Sequence, residues 1–160
     1  MTAQMPIELT RTWKAPLAEV WALWTTKQGL ESWWGPQGFR IEVDELDVRV
    51  GGKWRYRMIA SGENEIAFMK RAGMPVEQHV TATFTVVAPQ HTLAIENLVD
   101  FVPGQKPYTA GARVELEETK AGVKMTVLVD PMHDAEWTAR AKAGWTSQLT
   151  KLDARFGAPA

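Results

Sequence analysis

From Asp134 onward, one apolar stripe runs through an otherwise polar segment. Trp137, Ala141, Trp145, Leu149, Leu152 and Phe156 recur at intervals of three and four. That spacing puts all six side chains on one face of a helix and leaves the other faces wet. Asp134 offers a side-chain oxygen to the free amides of the first turn, and Gly157 and Pro159 close the segment. A helix with a single stripe gains most of its stability by lying on an apolar surface. The rest of the chain must supply that surface.

Most of what precedes reads as strand. Ile7, Leu9, Arg11 and Trp13 alternate with Glu8, Thr10 and Thr12, a period of two. Pro16 is expected as the first residue of a short helix reaching about Thr26, where its missing N–H is harmless. Lys27 to Trp34 predicts a second helix, ended by Gly35-Pro36. Phe39 to Val50 and Lys53 to Ala60 follow as strands. The Gly51-Gly52 pair between them predicts a tight hairpin with positive φ at both turn positions. In the second strand Trp54, Tyr56 and Met58 share one face, while Lys53, Arg55 and Arg57 share the other.

Residues 61–77 read as one or two helical turns or an irregular flap. Val80, Ala82, Phe84 and Val86 then share a strand face, and Thr92 to Val99 is a further strand beyond the turn at Ala88-Pro89-Gln90. A long loop over 100–110, with Pro103 and Pro107, precedes two strands, Ala112 to Glu118 and Val123 to Val129.

These 160 residues predict a single α+β domain. A curved antiparallel sheet should wrap around the long C-terminal helix, with two short helices after the first strand and a space left between sheet and helix. The charge balance, 18 basic against 19 acidic residues, lacks the basic stripe that a phosphate backbone requires, so nucleic acid is not an expected partner. With no cysteine there is no disulfide and no thiolate metal site. No apolar run is long enough to span a bilayer and the first residues lack a signal-peptide pattern, so no membrane insertion and a cytoplasmic location are expected.

The element order resembles the helix-grip fold of the START/Bet v 1-like (SRPBCC) superfamily. Particular motifs resemble more closely the homologues of the activator of the ninety-kilodalton heat-shock protein ATPase. They are Arg11-Thr12 with Ala15-Pro16, Val20-Trp21, Trp33-Trp34-Gly35-Pro36 with Gly38-Phe39, Asp47 to Trp54, and Gly144-Trp145 with Leu149 and Leu152. The resemblance implies a cavity for a hydrophobic small molecule or lipid-like ligand, with no cofactor and no metal. The segments Ile66 to Pro75 and Asp100 to Ala110 are longer than the family pattern, and loops 61–77 and 100–110 are expected as lids at its mouth. Chaperone activation carries over poorly, because the eukaryotic co-chaperone has an N-terminal domain not found in this sequence. A homodimer is compatible with a domain of this size, although the sequence marks no surface for it.

On this reading the cavity is lined by Trp54, Tyr56, Met58, Phe84, Glu96, Trp137, Ala141 and Trp145. Within the superfamily, cyclases and dehydratases use polar groups inside such a cavity. Tyr56 and Glu96 are therefore the candidate acid and base of an enzymatic alternative, with Arg113 nearby; a chaperone-associated, stress-response interaction module is another. Neither the face of Glu96 nor its role follows from the residues alone. His79, His91 and His133 lie in no metal-binding pattern, and Asp47 with Arg49 reads as a solvated ion pair. Neighbours on a helix point about 100° apart, so Trp33 and Trp34 are not expected to face one partner. One should pack under the sheet and the other border the cavity, the pair acting mainly as a clamp.

Overall fold

The computed structural model describes residues 6–100, 102 and 104–157. Residues 1–5, Pro103 and Pro159, read above for targeting, the long loop and the helix end, lie outside them.

Seven strands form one curled antiparallel sheet: β1 (Ile7–Trp13), β2 (Phe39–Leu46), β3 (Lys53–Ala60), β4 (Glu77–Ala88), β5 (Thr92–Val99), β6 (Tyr108–Thr119) and β7 (Gly122–Val129). Their spatial order is β1-β7-β6-β5-β4-β3-β2. The meander from β2 to β7 follows from short connections. The place of β1 does not: it returns to pair with β7, from Ile7 opposite Val129 to Trp13 opposite Val123. Four helices complete the fold: α1 (Leu17–Thr25), α2 (Lys27–Trp33), α3 (Glu63–Arg71) and α4 (Ala135–Phe156).

Local chemistry sets the helix ends. Asp134 caps α4 by accepting the Trp137 amide at 2.8 Å. The Thr26 hydroxyl accepts from Gly29 and starts α2. Pro16 stands one position earlier than expected, as the extended cap of α1 rather than its first turn. The open segment 61–77 resolves into α3, with Glu63 and Glu65 in its first turn and Lys70 and Arg71 in its last, the arrangement a helix dipole favours. The strand expected from Ala112 begins earlier, at Tyr108, which shortens the preceding loop.

Two sequence expectations fail at irregular backbone. The link from β2 to β3 is a loop over 47–52, not a Gly-Gly turn; only Gly51 has positive φ, at 85°. Gly52 is required for space, because a Cβ there would overlap the Asp47 carbonyl oxygen. In β4 the register shifts between Phe84 and Val86, so Val86 pairs with Ala94 and turns to the outer face.

The concave face carries the core. Trp54, Phe84, Leu93, Val114, Met125 and Val127 bury against Leu149 and Leu152 of α4, and α1 and α2 close the other side through Val20, Leu23, Trp24, Leu30 and Trp33. The last turns of α4 are fastened to β1, where Asp153 accepts from the Trp13 indole at 2.8 Å and from Arg11 at 3.3 Å. The ion pair of Asp47 with Arg49 is at the surface, both side chains exposed.

Candidate functional site

The stripe of α4 is uneven. Its C-terminal half carries Leu149 and Leu152, both fully buried, whereas its N-terminal half presents Ala141 and Gly144 toward the sheet. Small residues there leave the gap between the helix backbone and the strands unfilled. A cavity of about 300 Å³ results, bounded by the first half of α4, the concave face of β3 to β7, and the turn after α2.

Tyr56, Met58, Trp137, Ala141 and Trp145 all border this space. The other three residues grouped with them lie elsewhere. Trp54 and Phe84 are buried in the core, and Trp54 backs the wall from behind, its ring 4.6 Å from Tyr56 and 5.0 Å from Trp34. Glu96 is exposed on the outer face, beside Thr85, Arg113 and Leu128. Arg113 pairs there with Glu115 at 3.0 Å. None of residues 61–77 borders the cavity, and of the described residues in 100–110 only Ala110, a β6 residue, does.

Trp34 is the hub of the aromatic wall. It meets Trp24, Trp33, Trp54, Tyr56 and Trp145, the last at 5.1 Å with the rings at 89°. Trp24 therefore touches both members of the tryptophan pair, at 4.9 Å from Trp33 and 5.4 Å from Trp34. The helical angle failed as a guide because Trp34 lies just past α2 in extended backbone, φ −66° and ψ 146°. Trp33 faces α1 and donates its indole N–H to Leu23 at 2.8 Å. Trp33 is the clamp; Trp34 is cavity wall.

Three polar residues on that wall escaped the sequence reading: Gln78, Asn97 and Gln148. A signal for two of them was present. Asn97 continues the inward series Leu93, Ile95, Val99, and Gln148 lies three residues beyond Trp145 on the stripe. Gln148 is only 4% exposed, and its Oε1 accepts from Gly35 at 2.8 Å.

Burial pushes the Tyr56 phenol up to about 12, so its proton stays on at neutral pH. The Trp34 indole offsets part of that rise, but its N–H falls short of hydrogen-bond geometry and stays unpaired. The charged residues at the rim, Asp130 and Arg140, are exposed and engaged. Asp130 accepts the Gly111 amide at 2.8 Å, and Arg140 pairs with Glu136 at 2.8 Å while covering the Trp137 ring at 4.8 Å. Beside them the Tyr108 hydroxyl bonds Nδ1 of His133 at 2.9 Å and pins the approach to α4. Among the described residues no cluster of His, Cys, Asp or Glu could hold a metal, and no helix is long and apolar enough to cross a membrane.

Comparison with known proteins supports the fold. The family profile described as Activator of Hsp90 ATPase homolog 1-like protein matches residues 14–157. A solved protein from Chromobacterium violaceum superposes with a TM-score of 0.76 at 21% identity, over 94% of this chain and 96% of its own. An AHSA1 protein from Silicibacter pomeroyi gives 0.73 at 21% identity, over 94% and 96%. A protein from Arthrobacter aurescens, solved by solution NMR, gives 0.73 at 20%, over 99% and 92%. At such identities the likeness is one of fold. Among curated proteins no sequence matches this chain.

Proposed function

The chain belongs to the Activator of Hsp90 ATPase homolog 1-like family, and from that premise we propose that it binds a compact hydrophobic molecule between its sheet and C-terminal helix. One observation carries the reading: where the helix stripe turns from leucines to Ala141 and Gly144, an aromatic-walled space of about 300 Å³ opens. That lies at the low end of the roughly 300–1,000 Å³ of small-molecule pockets, which favours a ring-sized ligand over a long acyl chain. Tyr56, Met58, Trp137, Ala141 and Trp145 are the proposed contacts.

The enzymatic alternative needs Tyr56 and Glu96 within reach of one substrate atom. Glu96 stands on the opposite face of the sheet, so that pair does not meet. A chaperone partner rests on the family's name alone.

Native mass spectrometry of gently purified protein tests the proposal, with extraction of whatever is bound and titration by tryptophan fluorescence. A discrete added mass, or a saturable change in emission with small ring compounds, is expected. A bare mass together with no response to any such compound would overturn it.

A further inference from the structure

Asn97 stands on the sheet wall of the cavity, opposite Ala82 on β4 and Ala110 on β6. Two alanines leave its side chain standing free. Its Oδ1 is buried and unpaired, and the carboxamide bonds to no described residue. A buried acceptor without a partner is destabilising, and such atoms in native folds call for a reason. On the helix wall, Gln148 gives its Oε1 to the Gly35 amide. That bond fixes which end of the carboxamide is taken. The NH₂ end has no partner among the described residues.

The wall thus has an unused acceptor on the sheet and an unused donor on the helix, besides the unpaired indole N–H of Trp34. Among the described residues of the wall, the charged ones are Asp130 and Arg140, exposed at the rim and already bonded. An ionised ligand would find no counter-charge within, and burying it unpaired is strongly unfavourable. A neutral molecule carrying both a carbonyl and an N–H or O–H has the complement of each carboxamide.

We infer that the cavity selects an uncharged, ring-sized molecule with a carbonyl-and-donor edge, read by Asn97 from the sheet and Gln148 from the helix. This rests on the ligand-binding reading above and names the chemical class that it takes. Sites built to hydrogen-bond a ligand discriminate strongly against analogues lacking the group, because their own polar atoms are then left unpaired.

Matched probes test this: oxindole, a fused ring with a lactam edge; indane, its hydrocarbon counterpart; and indane carboxylate. Binding to the wild-type protein is followed by tryptophan fluorescence. Oxindole is expected to bind tighter than indane by about tenfold or more, despite being less hydrophobic. Asn97→Leu, close in size, should reverse that order. Indane binding tighter than oxindole to the wild type would overturn the polar reading and leave the cavity intact. Tighter binding of the carboxylate would overturn the neutral class. If none of the three binds, this inference falls, and with a bare mass the ligand-binding reading falls with it. The wild-type comparison needs no variant, so it decides the matter even if Asn97→Leu folds poorly.

Discussion

The backbone N–H of Gly35 donates to Oε1 of Gln148 across 2.8 Å, joining the turn behind Trp34 to the middle of α4. A second bond, from the Gln37 amide to the Ser147 hydroxyl at 2.8 Å, reinforces the joint. The cavity's aromatic hub and its helix wall are therefore held in register by the chain's own backbone.

Gln148→Met keeps the volume of that side chain and removes the acceptor. The Gly35 amide is then buried without a partner, and a loss of about 1–3 kcal/mol is expected in urea unfolding. A midpoint unchanged from wild type would show that water replaces the bond.

Asp153 holds the end of α4 through the Trp13 indole and Arg11. Asp153→Ala should lower stability by about 1–3 kcal/mol, since Trp13 is only 1% exposed and its N–H would lose its acceptor. Asp153→Asn retains an oxygen for the indole and should cost less. Thermal melts of the two variants check the ranking.

Tyr56 makes stability fall at high pH. Its folded value is raised from 10.0 to about 12. Below the unfolded value both states hold the proton and no difference arises. As pH climbs from 10 to 12 the unfolded chain ionises first, and stability is lost across that window. The loss is on the order of 2–3 kcal/mol. Tyr56→Phe should remove this component, seen as the difference between the two proteins' urea midpoints at pH 9 and pH 12.

Gly144 lies mid-helix with open space where a Cβ would stand. Gly144→Ala should stabilise the fold by about 0.5–1 kcal/mol through helix propensity. Gly144→Leu should fill the cavity and abolish the fluorescence response to ring compounds while leaving the far-ultraviolet circular dichroism unchanged. A retained response would place the ligand elsewhere.

The regular parts of the fold were legible because they depend on local periodicity. The stripe from Trp137 to Phe156 announced α4, Asp134 its start, and the alternation around Trp54, Tyr56 and Met58 the inner face of β3. The site was less legible. Attention to charge picked out Glu96, whereas the inward polar residue is its neighbour Asn97, one step along a strand and on the other face. The alternation extended through Val86 broke at the bulge in β4, which single-residue spacing does not reveal.

By itself the sequence determined the type and order of most elements and the start of α4, since each follows from side-chain spacing, caps and turn residues within a few positions. Only the tertiary structure decided that β1 pairs with β7, that Trp34 joins the cavity wall, and that a space opens beside Ala141 and Gly144. A cavity is a mismatch in volume between surfaces far apart in the chain. No local period encodes it, because it exists only once the helix has been laid on the sheet.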